Sequence, residues 1–101
     1  NSTAFSTSHF ATGLLARTDW LAQWITGSDE NRLLRAEFEN HVDNDGQRAT
    51  VFVAGLGYSH LSLNGQPVTD SKLGPWTDFG KRVLYQTFDV SSLLVDGTNA
   101  L

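Results

Sequence analysis

The dipeptide Asn64-Gly65 constrains this chain more than any other pair of residues. Both residue types accept positive φ, the conformation required at the centre of a two-residue hairpin turn. The run before it, 58–63, alternates: Ser59, Leu61 and Leu63 fall on one side of an extended backbone, and Tyr58, His60 and Ser62 on the other. The returning segment carries Pro67, which has no N–H to give a ladder and so belongs at a sheet edge. A chain with this hairpin in its middle folds as β structure.

Similar alternation recurs on either side. In residues 33–39, Leu34, Ala36 and Phe38 point inward and Arg35, Glu37 and Glu39 outward; residues 49–54 form a strand with both faces largely apolar. In residues 82–90, Leu84, Gln86, Phe88 and Val90 oppose Val83, Tyr85 and Thr87. Asp43-Asn44-Asp45-Gly46 and Asp96-Gly97 read as turns, and residues 98–101 as the start of another strand. Two segments are less regular. Trp20 and Trp24 would share a helix face, yet Trp20, Ala22 and Trp24 also alternate; residues 91–94 suit a helical turn. The expectation is an all-β, antiparallel β-sandwich of about five strands. Leu34, Phe38, Val51, Val53, Leu61, Leu63, Leu84 and Phe88 are its expected core, each contributing about 1.5–3 kcal/mol on burial.

With 101 residues there is room for one domain with a modest core. Net charge is −4 with Lys and Arg scattered, which disfavours a nucleic-acid partner. No apolar run is long enough for a membrane-spanning helix, and without Cys there is neither a disulfide nor a thiolate metal site. Composition leaves the compartment open. Residues 1–18 read as the linker or tail of a preceding domain, beginning with a Ser/Thr-rich stretch and the glycosylation acceptor Asn1-Ser2-Thr3; residues 19–101 read as the sandwich. The strand that begins near Asn99 is expected to continue past Leu101, so that the sandwich is incomplete at its C-terminal end.

Several motifs imitate chemistry without supplying it. Gly55-Leu56-Gly57-Tyr58-Ser59-His60 lacks the third glycine of a dinucleotide fingerprint and leads into alternation rather than a helix. The same stretch lacks the closing glycine of a nucleophile elbow around Ser59. Placing Gly46 at the invariant glycine of a calcium loop puts His41 and Phe52 at ligand positions that need acids. Glu37 and Glu39 lie on one strand face, whereas glycoside hydrolysis needs two carboxyls flanking a sugar from opposite sides of a cleft. His9, His41 and His60 share no metal-ligand spacing. No catalytic residue, metal site or cofactor is expected.

The loop Gly74-Pro75-Trp76-Thr77-Asp78-Phe79-Gly80 stands apart. Its glycines and proline frame two aromatic rings, with Thr77 and Asp78 between them. An indole face beside a carboxylate can stack on sugar C–H groups and accept hydroxyl hydrogen bonds. The competing and preferred reading has Trp76 and Phe79 fold back to close one end of the sandwich, or dock on a neighbouring domain. Tyr58, on the strand before the hairpin, joins Trp76, Thr77, Asp78 and Phe79 as the candidate carbohydrate-binding or interdomain set.

An ordered series of motifs carries a family resemblance. Phe10-Ala11-Thr12-Gly13-Leu14-Leu15, Asp19-Trp20-Leu21-Ala22-Gln23-Trp24-Ile25 and Leu33-Leu34-Arg35-Ala36-Glu37-Phe38 are followed by Gly55-Leu56-Gly57-Tyr58, Leu63-Asn64-Gly65 and Pro75-Trp76-Thr77-Asp78-Phe79. Lys81-Arg82-Val83-Leu84-Tyr85-Gln86-Thr87-Phe88-Asp89-Val90 completes the series. Together they resemble the N-terminal accessory domain of α-L-rhamnosidases. The resemblance implies a galactose-binding-like jelly roll within a multidomain glycoside hydrolase that removes terminal L-rhamnose with inversion. It implies as partners the remaining domains of the parent enzyme, among them a six-hairpin catalytic toroid, and a rhamnose-containing glycoside. The chain departs from the pattern in reading Gly74-Pro75-Trp76 where relatives read Pro-Gly-Trp. It also has only residues 26–32 where some relatives insert a rhamnose-binding module.

Overall fold

The structure is a computed structural model that describes residues 4–8, 10–30, 32–41, 48–72 and 74–101. The Asn1 acceptor, His9 and the turn at 43–46 lie outside the described residues. Among the described residues there are six strands: β1 Glu37–Asn40, β2 Thr50–Val53, β3 Ser62–Leu63, β4 Gln66–Pro67, β5 Gln86–Asp89 and β6 Gly97–Ala100. All pair antiparallel, as β1 with β6, β2 with β5 and β3 with β4. No α-helix occurs among the described residues. This is the all-β, antiparallel architecture that the alternation predicts.

The hairpin forms where its turn residues dictate. Asn64 has φ 52° and Gly65 φ 78°, both positive, so the two-residue turn takes the hand that matches strand twist. Leu63 pairs with Gln66 and Ser62 with Pro67, and the Val68 N–H continues the ladder to the Leu61 carbonyl at 2.9 Å. The ambiguous Trp20 region is mostly extended, interrupted by a single 3-10 turn, Arg17–Asp19. Asp19 Oδ2 accepts the N–H groups of Leu15 and Ala16 at 3.2 and 3.0 Å, a local bond that favours a turn over continued helix.

Pairing in register brings Phe38 opposite Asn99 and Val51 opposite Phe88. The β1–β6 ladder extends by reciprocal bonds between Ala36 and Leu101, at 3.0 and 2.9 Å. The β2–β5 pair is closed at its other end by Ser91, whose Oγ accepts the Ala49 N–H at 2.8 Å. After β5 a turn forms as expected, with the Leu93 and Leu94 N–H groups both bonded to the Val90 carbonyl.

The expected core needs correction. Leu63 is buried at 1% exposure, but Val51, Val53, Leu61 and Phe88 are only half-buried. Leu34, Phe38 and Leu84 are exposed, at 50%, 40% and 41%. Alternation assigns a side chain to a face; burial requires a second layer over that face. Here Phe38, Val51, Phe52, Leu63 and Val90 line an open apolar trough of about 490 Å³, so inward-directed residues still meet solvent. The radius of gyration, 17.0 Å, exceeds the roughly 13 Å of a compact 100-residue domain, in keeping with that openness.

A buried polar cluster compensates for the thin core. Asn99, at 1% exposure, uses its whole amide: Oδ1 accepts from Val95 N–H and from Asn64 Nδ2, both at 2.8 Å, while Nδ2 donates to the Val95 and Gly97 carbonyls. Asn64 Oδ1 in turn accepts the Ala100 N–H at 2.9 Å, and its Nδ2 also reaches the Leu93 carbonyl at 2.8 Å. A fully satisfied network of this kind is rigid, because each broken member strands a buried partner.

Candidate functional site

Residues 74–80 form a loop braced from within. Asp78 Oδ1 accepts the Gly80 N–H at 3.1 Å, and the Asp78 carbonyl accepts the N–H groups of Lys81 and Arg82, each at 2.9 Å. The Thr77 hydroxyl donates to the Arg82 carbonyl at 2.5 Å. Aspartate and threonine are suited to this because their short side chains reach nearby backbone groups. Lys81 Nζ lies 3.7 Å from Asp78 Oδ2, a solvent-exposed pair of small energetic worth.

The bracing fixes the two rings. Trp76 and Phe79 stand with centroids 5.9 Å apart and planes inclined by 47°, within the favourable range for a tilted aromatic pair. Phe79 is half-buried, but Trp76 is 78% exposed. The reading in which Trp76 closes one end of the sandwich is therefore overturned. Phe79 packs against the indole, whose remaining surface stays in water.

Tyr58 is 79% exposed, and Leu56 beside it 58%. Their segment adjoins the Trp76 loop through the backbone. Ser59 N–H donates to the Lys72 carbonyl at 3.1 Å, and a Cβ at Gly74 would sit 3.5 Å from the Gly55 carbonyl oxygen. The structure thus brings together two neighbouring loops, each carrying an exposed aromatic residue. All five expected residues lie on them, with Thr77 and Asp78 engaged in holding the loop's shape.

The remaining motifs have structural occupations. Glu37 Oε1 pairs with Arg35 Nη2 at 2.6 Å, and Glu39 accepts a hydrogen bond from the Thr98 hydroxyl; both carboxylates lie on the exposed face of β1, outside any cleft. The glycine-rich stretch leads toward β3, with Gly57 at φ 94°. His41 Nδ1 lies 3.9 Å from Asp96 Oδ1 at the surface. Among the described residues no group of three or more His, Cys, Asp or Glu could hold a metal, and no helix is long and apolar enough to cross a membrane.

Two residues escaped the sequence reading. Tyr85, placed only by alternation, accepts the Leu14 N–H at 2.9 Å and contacts the rings of Trp20 and Phe52. Asn99 sits in a strand whose neighbours gave no hint of the amide facing it across the turn. The signals available were Gly13, a residue without a side chain opposite a tyrosine, and an asparagine in an otherwise small-residue strand.

Comparison with known proteins gives this loop system a context. A family model described as the alpha-L-rhamnosidase N-terminal domain matches residues 44–101, which include the hairpin, the Trp76 loop and strands β2 to β6. The chain belongs to the α-L-rhamnosidase N-terminal domain family. An alpha-L-rhamnosidase of Formosa agariphila is 30% identical over 92% of the chain, and one of Alteromonas sp. is 31% identical over the same share. A Streptomyces avermitilis relative of the same name is 47% identical over 54% of the chain. The chain spans 11%, 12% and 5% of these three proteins' lengths. No solved structure matched it. The antiparallel all-β architecture agrees with an N-terminal β-sandwich domain of this family.

Proposed function

We propose that this chain is a non-catalytic accessory domain of a multidomain α-L-rhamnosidase, and that it positions the domain in which terminal L-rhamnose is hydrolysed. On this reading hydrolysis with inversion takes place in a six-hairpin toroid elsewhere in the parent, and the accessory domain helps present the glycoside to it. The observation that carries the proposal is Trp76: a large ring held in water by a self-braced loop, beside exposed Leu56 and Tyr58 on the adjoining loop. Fixed apolar side chains of this sort suit a docking surface, because little conformational freedom remains to be lost on contact. Glu37 and Glu39 point the same way, each being tied to a neighbour on an exposed strand face rather than opposed across a cleft.

A second reading, an autonomous carbohydrate-binding module, draws on the exposed indole next to the Asp78 carboxylate. It is weakened by the carboxylate's existing duty, since Oδ1 already holds Gly80 and Oδ2 faces Lys81. Titrating L-rhamnose against the chain while following tryptophan emission separates the two. The positioning role gives no saturable signal up to millimolar sugar, where binding is worth about −4 kcal/mol. A saturable change that disappears in Trp76→Ala establishes the module instead.

A further inference from the structure

We infer that residues 13–20 form a flap latched by Tyr85, so that the domain begins ahead of Gly13 and can open along one wall of its apolar trough. Three observations converge on this. The Tyr85 hydroxyl accepts the Leu14 N–H at 2.9 Å, and its ring stands 5.6 Å from Trp20 and 6.0 Å from Phe52 of β2. Tyr85 therefore bridges the N-terminal segment and the β2–β5 pair.

The second observation is the fit at Gly13. A Cβ built there would fall 2.5 Å from the Tyr85 hydroxyl oxygen, closer than real carbon contacts allow. A larger residue at this position would push the Tyr85 hydroxyl away from the following N–H. The third is the flap's own construction. Asp19 ties its Oδ2 to Leu15 and Ala16, giving the segment a fold that does not depend on the sheet.

A hollow of about 320 Å³ is bounded by Leu14, Leu15, Ala16, Arg17 and Trp20 of the flap and by Tyr85, so the latch residue stands at its rim. Leu14 and Trp20 also wall the trough, on whose other side stand Phe38, Val51 and Phe52. Lifting the segment breaks the Leu14–Tyr85 hydrogen bond and the Trp20–Tyr85 ring contact and takes Leu14 and Trp20 out of the trough's lining. The latch thus sets how widely this already open trough stands along one wall.

Limited trypsin digestion reads the latch directly, because Arg17 lies in the flap and Lys81 lies on the exposed loop outside it. Cleavage follows the population of the open form when opening is fast. Tyr85→Phe removes the hydroxyl and keeps the ring. It is expected to raise cutting after Arg17 about fivefold relative to cutting after Lys81, the factor for one hydrogen bond of ordinary net worth. Gly13→Ala, which wedges the same contact from the other side, is expected to shift the ratio in the same direction. Amide exchange at Ala100 and Val95, which report the Asn99 cluster, is expected to stay as in the parent sequence. An unchanged ratio in both variants, or a rise shared equally by both cleavage sites, overturns the proposal.

Discussion

Asn64 Nδ2 donates to Asn99 Oδ1 at 2.8 Å, joining the tip of the β3–β4 hairpin to β6 through two side-chain amides. The bond couples an element made by local turn chemistry to one made by long-range pairing. β6 thereby touches both β1 and the hairpin, and the Asn64 N–H reinforces the junction by donating to the Ala100 carbonyl at 2.8 Å.

Asn99→Ala leaves the groups of Val95, Gly97 and Asn64 without their partner in a buried site. Each such group costs about 1–3 kcal/mol, so urea unfolding is expected to show a loss of at least that size. Asn64→Gly is expected to cost less, since the turn keeps a residue that accepts positive φ and only the side-chain bonds disappear. Equal losses in the two variants would assign the energy to the bond the two amides share rather than to the contacts of Asn99 with Val95 and Gly97.

Trp76→Ala is expected to leave the stability of the chain within about 0.5 kcal/mol, the usual range for an exposed side chain. On the proposed positioning role, the same change in a full-length α-L-rhamnosidase carrying this domain is expected to lower the melting temperature or the activity through lost docking. Calorimetry on both forms checks this. A loss confined to the isolated chain would mean that the indole is packed in solution.

The isolated chain is expected to give no hydrolysis of an aryl rhamnoside above background, because a glycosidase requires two carboxyls placed across the sugar. Turnover that survives purification and falls on changing Glu37 or Glu39 would reverse the assignment of roles.

Asp89 is expected to contribute to the acid sensitivity of folding. The Ser91 hydroxyl, then the Ser91 N–H, and to a smaller extent Arg48 favour its charged form, and hold its pKa below the ordinary aspartate value against a small opposing effect of burial. A carboxyl depressed in the folded state contributes stability above its unfolded pKa and loses it as pH falls through the folded one. The contribution is therefore constant at neutral pH and declines below about pH 4. Ser91→Ala is expected to move the Asp89 titration upward, read by carbon NMR of the carboxyl, and to weaken the pH dependence of unfolding in that window.

Local chemistry was legible in advance, and long-range packing was not. Asn64-Gly65 announces its turn because positive φ is a property of those two residues alone. Alternation likewise located β5, and a largely apolar run located β2; their register puts Val51 opposite Phe88. Leu34, Phe38 and Leu84 were misjudged because periodicity reports direction, whereas burial depends on what lies across the gap. Trp76 was expected to close one end of the sandwich or to dock on a neighbouring domain; within this chain it stands exposed, on a loop held by bonds that Thr77 and Asp78 make. The Tyr85 contact left only Gly13 as a signal, since its partner Leu14 is 71 positions away and contributes only a backbone N–H.

Pro67 sets a direction of growth. Leu63 and Gln66 flank the turn as one pair, and the next pair outward, Ser62 with Pro67, is one in which the strand residues turn their backbone groups away from each other. The missing N–H of Pro67 therefore falls on the outer rim of β4, where an incoming strand would need it. A further strand finds an interrupted row of donors on that side, so the hairpin acts as a terminus and enlargement of this small sheet is steered toward the opposite, β3 side.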